Sequence, residues 1–349
     1  MTNATAVVLF FGVTAYALFG GADFGAGIWD LVAGGAERGE RPRALIDHSI
    51  GPVWEANHVW LIFCLVVLWT AFSTAFSSIM LTLYVPLTLA ALGIVLRGSG
   101  FAFRKAVTRP RDRRNFGAAF ALSSVLVPFC MGAVAGAIAS GRVPSGGNAG
   151  DPWSSWINPT AIIGGLLAIS VCAYLSAVYL VWDAHRIGDT DLSEYFRRRA
   201  VVAAVVSGVI AFVGIFVFHA DATYLYDGLT SRALPLVVVS AICGLVSLGM
   251  LLRGSSMWAR LFSIGAVAAV VVGWGVAQWP YMLPESLKVA QAAGPTGTLE
   301  AVLVVFVFAA VVILPALALL FTLDQKSLLA GEGGADQTVA ATGKPGAPR

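Results

Sequence analysis

Seven consecutive residues, Trp54-Glu55-Ala56-Asn57-His58-Val59-Trp60, bring a carboxylate, an imidazole, an amide and two indoles to the head of a long apolar run. An ionisable side chain at the centre of a bilayer costs about 2.5–3.5 kcal/mol even on insertion scales. On a helix Glu55 and His58 stand at i and i+3 and are neighbours on one face, with Trp54 and Asn57 one position round. A carboxylate beside an imidazole can relay protons between water and a membrane interior. The same residues can also cap a helix at the interface, with Trp54 and Trp60 as belt aromatics. The residue types alone leave both readings open.

Other apolar runs carry further charged groups. Asp23 and Asp30 are seven residues apart, so they share a helix face; Asp23 reads as part of a buried network and Asp30 as an interfacial charge. Gly21 and Gly25 beside them allow a second helix to approach closely. Arg97 either snorkels to the headgroups or pairs with a carboxylate in the bundle, Asp23 and Glu55 being the first partners to consider. His48, His185 and His219 show no paired spacing. The four cysteines, Cys64, Cys130, Cys172 and Cys243, are far apart with no CxxC. Neither a metal site nor haem ligation by this chain is expected.

These groups need membrane helices to position them. Of 349 residues, 58% are hydrophobic and 12% charged, with a mean hydropathy of +0.82. Soluble domains are about 25% charged, so most of this chain needs no solvated face. An all-α polytopic membrane protein is expected, with no large soluble domain and no nucleic-acid role. Runs of about 20 apolar residues give nine spans: 5–32, 50–72, 77–98, 116–140, 157–182, 200–219, 233–252, 257–279 and 299–322. The first is expected to be retained, since no basic n-region or cleavage site marks it as a signal peptide. Spans 1–4 and 5–8 are expected to form two four-helix bundles with the ninth helix peripheral. Residues 1–329 then make a single membrane domain, and the Gly-, Ala- and Pro-rich 330–349 a disordered cytoplasmic tail.

Charge gives this arrangement a direction. With nine spans, 19 of the 22 Lys and Arg fall on one side and only Arg142, Arg232 and Lys288 on the other. The positive-inside rule therefore puts the N-terminus outside and the C-terminus in the cytoplasm. Glu55 then starts its span on the cytoplasmic side. The basic run Arg109–Arg114 reads as a solvated loop.

Three stretches together resemble subunit II of the cytochrome bd-type quinol oxidases. They are Gly21-Ala22-Asp23-Phe24-Gly25-Ala26-Gly27, then Ile50-Gly51-Pro52-Val53-Trp54-Glu55-Ala56-Asn57-His58-Val59-Trp60-Leu61, and Tyr84-Val85-Pro86 through Arg97 to Phe103-Arg104. Trp279-Pro280-Tyr281-Met282-Leu283-Pro284 and Thr298-Leu299 resemble the family more weakly. The resemblance implies a haem-free subunit in a bacterial plasma membrane. Its haem-bearing partner, subunit I, would carry haem b, haem d or a b-type variant, and the quinol site. Small single-span subunits, lipid and a structural quinone are further companions it implies. It also implies a cytoplasmic proton route whose acid, in the Trp-acid pair of the motif, falls on Glu55; by residue type and position His58 and Asp23 are further candidates for that route, with Trp54, Asn57, Trp60, Arg97, Gly21 and Gly25 as a supporting polar and packing network. Departures are Ala56 and His58, where the family usually has Gly and then Glu or Gln, and Ala102, often acidic. A different class, an ion-coupled secondary transporter with its site in spans 1–3, fits less well, because transporters place matching polar segments in both halves and this second half has almost none. A purely structural scaffold is the third alternative.

Overall fold

The computed structural model describes residues 1–35, 37–51, 54–107 and 109–325. Pro52 and the segment 330–349, expected to be a disordered tail, lie outside the described residues. The elements in chain order are α1 (Thr2–Leu31), α2 (Glu40–Ile50), α3 (Trp54–Ala71), α4 (Ser73–Thr82), α5 (Tyr84–Ala106), α6 (Pro110–Ala139), α7 (Pro159–Arg186), α8 (Thr190–Asp221), α9 (Thr223–Thr230), α10 (Leu234–Leu252), α11 (Ser256–Gln278), β1 (Tyr281–Leu283), β2 (Leu287–Lys288), α12 (Val289–Ala292) and α13 (Thr296–Gln325). The fold is all-α and polytopic. Among the described residues, eight helices are long and apolar enough to cross a membrane, or nine if α2 and α3, bent by 54°, count as one.

Local chemistry explains the helix starts. Pro110 and Pro159 occupy first-turn positions, where the missing N–H costs nothing. Asn158 caps α7 by accepting from the Ala161 N–H at 2.9 Å, and Asp189 caps α8 by accepting from that of Leu192 at 3.0 Å. Residues 40–50, read from sequence as connection, form the amphipathic helix α2. Pro42 sits in its first turn, and Pro42, Leu45, Ile46 and Ile50 are buried.

The third span differs most from its expected position. The run 77–98 is not one helix: residues 73–82 form α4, and the helix long enough to cross a membrane begins at Tyr84. Phe72 (φ −136°, ψ 51°) and Leu83 (φ −106°, ψ 26°) leave helical geometry on either side of α4. The connection from α6 to α7 holds α4 in place: Gly147 N–H donates to Ser78 Oγ at 3.2 Å and Gly150 N–H to Thr82 Oγ1 at 3.1 Å. Pro86 falls in the first turn of α5, as its fixed φ favours. Arg97 is thereby moved from the end of its span to about 20 Å along α5.

The chain forms two compact units, residues 1–303 and 304 onward; the described part of the second is the distal length of α13, an apolar helix interrupted by Pro315. Within the first unit α1 and α7 are central. Helix α1 packs on α3, α6, α7 and α11, while α7 packs on α1, α6, α8 and α11; α5 joins through α6, and α10 through α8 and α11. Trp29 Nε1–H donates to the Ala173 carbonyl at 2.8 Å across the α1–α7 contact. One core lies around Ala71, Phe72, Ala75, Ala137 and Leu283. A second lies around Ile46, Phe120, Leu180 and Phe196, at the other end of the same helices. Between α11 and α13, β1 and β2 form a short antiparallel hairpin after a cis Trp279–Pro280 bond.

Candidate functional site

Helices α1, α3, α5 and α6 bury a column of polar side chains. Its upper member is Asp23, on the face of α1 turned into the bundle. Asn57 Nδ2–H donates to Asp23 Oδ2 at 2.8 Å. Arg97 Nη2–H donates to the Asp23 backbone carbonyl at 2.7 Å, and its Nε–H to Ser124 Oγ at 3.2 Å. Ser124 Oγ–H donates in turn to the Phe120 carbonyl at 2.7 Å. Asp23, Asn57 and Arg97 are 4%, 5% and 1% exposed, so these bonds replace water and do not compete with it. The Arg97 guanidinium lies between two rings, 4.9 Å from the Phe24 centroid and 5.0 Å from that of Phe120. Cation–π contact at that range supplies the charge with a second kind of partner.

A lower tier repeats the pattern. Arg43 Nε–H donates to Asp30 Oδ1 at 2.7 Å, and Arg43 Nη2–H to the Gly34 carbonyl at 2.6 Å. Arg104 bridges Asp30 and Asp47 with its two terminal nitrogens, and its guanidinium lies 5.1 Å from the centroid of the same Phe120 ring. Two acids and two arginines there balance in charge. At the same end of the helices, Arg41 donates to both oxygens of Asp189 at 3.0 and 2.8 Å. The Leu192 N–H, and then that guanidinium, hold the Asp189 carboxyl below the usual carboxylate range.

The residues singled out from sequence divide unequally. Asp23, Asn57 and Arg97 meet in one network, and of the two fates open to Arg97 the structure selects burial beside Asp23. His58 adjoins them: its ring stacks on Phe24 with centroids 5.8 Å apart and an interplanar angle of 28°. Glu55 is not among them. The buried stripe of α3 runs through Asn57, Trp60 and Val67, whereas Glu55, Val59, Ile62, Val66 and Trp69 form the exposed stripe opposite. Trp60 is buried, edge-on to Phe11 and Phe63 at 5.6 and 6.2 Å. The Trp54 side chain lies outside what is described. Gly25 meets α7 so closely that a methyl group would overlap the Cys172 carbonyl, while one at Gly21 would sit in ordinary contact, 3.5 Å from Cys172 Sγ.

Sequence reasoning missed the lower tier, together with Ser124 and Phe120. One signal could have found the tier. Arg97 and Arg104 are spaced by seven residues, as Asp23 and Asp30 are, so two helices with matched seven-residue spacing of opposite charge can form two rungs. Ser124 and Phe120 carry no such mark, because their roles depend on α6 lying behind α5.

Among the described residues no group of three or more His, Cys, Asp or Glu is placed to hold a metal ion. The column holds a carboxylic acid and a guanidinium away from water, each with polar partners from neighbouring helices. Residues 1–323 match the family described as cytochrome bd terminal oxidase subunit II. The chain is similar to the cytochrome bd ubiquinol oxidase subunit 2 of Bacillus subtilis, 26% identical over 72% of each chain. It is also similar to the cytochrome bd-I ubiquinol oxidase subunit 2 of Escherichia coli K12, 24% identical over 78% of each. Its fold matches a chain in the structure of bd oxidase from Geobacillus thermodenitrificans with a TM-score of 0.73. That match has 23% identity and covers 92% of this chain and 98% of that one.

Proposed function

Because the chain belongs to the cytochrome bd terminal oxidase subunit II family, we propose that it is the haem-free subunit of its oxidase and that Glu55, His58 and Asp23 line a proton-uptake route to the oxygen-reducing centre. The protein is a multi-pass component of the bacterial plasma membrane and a subunit of a quinol oxidase complex, with subunit I as its partner. That membership replaces the transporter reading. On our proposal the partner holds haem b and haem d or a b-type variant, and this chain supports it. Small single-span subunits, lipid and a structural quinone complete the complex. The N-terminus faces outward, so that Glu55 opens to the cytoplasm.

Reduction of oxygen to water consumes protons, and an oxidase buried in a bilayer needs a polar path to bring them. The observation that carries the proposal is the Asp23–Asn57 hydrogen bond, buried in the bundle with His58 beside it. His58 lies one helical turn from Glu55, which stands on the exposed stripe of α3 where a partner helix can cover it. A proton taken up at Glu55 would pass to His58 and then to the Asp23 carboxylate. Arg97 holds Asp23 in position through its carbonyl.

Glu55→Ala in the intact complex tests this. The visible haem spectrum is expected to stay near normal while oxygen consumption slows, about 10²-fold being the scale for loss of a positioned proton-transfer group. Full activity would remove Glu55 from the route. Loss of the haem partner would give it a packing role instead.

A further inference from the structure

Tyr16 lies on α1 about two turns before Asp23, and its hydroxyl is buried without a hydrogen-bond partner among the described residues. A buried phenol O–H in that state is unfavourable, and native structures rarely leave one so. The ring is not placed at random. It lies back across Gly20, where an added methyl would stand 2.7 Å from Tyr16 Cε2. The missing side chain of Gly20 is what lets the phenol run along α1 toward the polar column. There its ring meets Phe24 edge-on, centroids 6.4 Å apart, and tilts against His58 at 6.2 Å. The hydroxyl therefore ends in the neighbourhood of His58 and Asp23, whose Oδ2 is already engaged by Asn57.

A single ordered water satisfies such a group when about two to four polar partners surround it. We infer that Tyr16 Oη, the His58 imidazole and the Asp23 carboxylate enclose an internal water site. The phenol donates to the water, and the water donates in turn to the carboxylate or the imidazole. Tyr16 is then a positioning residue. It fixes a water that lengthens the polar column beyond Asp23 toward the middle of the bundle. That extension of the proton path rests on the function proposed above, whereas the water site itself does not.

The test uses the intact oxidase with its partner subunit. Density maps at a resolution that shows solvent are expected to contain an ordered water within hydrogen-bond distance of Tyr16 Oη, and Tyr16→Phe to lose it. Tyr16→Phe is also expected to slow oxygen consumption by about tenfold, the rate equivalent of one hydrogen bond, at an unchanged haem spectrum. No solvent density beside Oη overturns the site. Density with a full rate in Tyr16→Phe overturns its place on the path. Glu55→Ala measured alongside separates that result from failure of the route, which would leave both variants at full rate.

Discussion

Replacing Arg97 by methionine probes the polar column most directly, because Met fills similar volume without charge. The guanidinium is 1% exposed and makes bonds of 2.7 Å to the Asp23 carbonyl and 3.2 Å to Ser124, with rings at 4.9 and 5.0 Å. The variant leaves the Asp23 carbonyl without its donor and the Asp23 carboxylate without its neighbouring cation. A hydrogen bond from a charged donor is worth about 1.5–3 kcal/mol. Two such bonds, to the Asp23 carbonyl and to Ser124, together come to about 3–6 kcal/mol. Against a total stability of roughly 5–15 kcal/mol, that is enough to deplete the folded complex. Arg41→Ala is the control of the same residue type: its pair with Asp189 is 62% exposed on the arginine side, where solvent screening leaves an ion pair little effect on stability. The assay is the yield and thermal stability of the complex in mild detergent, followed by size exclusion and the haem spectrum. Arg97→Met combined with Asp23→Asn should recover part of the loss, since the double variant no longer buries an uncompensated acid. An Arg97→Met complex as stable as Arg41→Ala would refute the claim that the column is held by Arg97.

Two further outcomes test the fold and its surface. Gly25→Ala should destabilise by about 1–3 kcal/mol through overpacking, since its methyl meets the backbone of Cys172, while Gly21→Ala should be tolerated at 3.5 Å from Cys172 Sγ; equal yields of the two complexes would contradict that α1–α7 contact. Asp189 titrates below the usual carboxylate range in the folded chain, so its contribution is present above its unfolded pKa of about 3.9 and fades as pH falls through the lower folded value. The stability gap between the native chain and Asp189→Asn should therefore be constant near neutrality and close in strong acid, and a gap that widens with acidity would reverse the sign.

Sequence legibility was uneven along the chain, and the reasons are physical. Spans of apolar residues are visible because a bilayer demands about 20 of them, whatever they pack against. The start of the third span was not visible: α4 is tied down by loop residues Gly147 and Gly150, whose N–H groups donate to Ser78 and Thr82, a contact some seventy residues distant in the chain. The displacement of α5 follows from it, and with it the depth of Arg97.

The chemistry divides in the same way. Composition and spacing determined by themselves that this is a membrane protein of many spans, and that Asp23, Asn57, His58 and Arg97 are uncommon occupants of such spans. Spacing also made Glu55 and His58 neighbours on α3. Only the tertiary structure decided that Asn57 turns inward to Asp23 while Glu55 stands on the exposed stripe. A helix has a buried side only once other helices choose it. Arg97 likewise had two open fates until α1 supplied the Asp23 carbonyl and α6 supplied Ser124 and Phe120. A charge inside hydrocarbon goes where its partners are, and their positions are a property of the packed bundle.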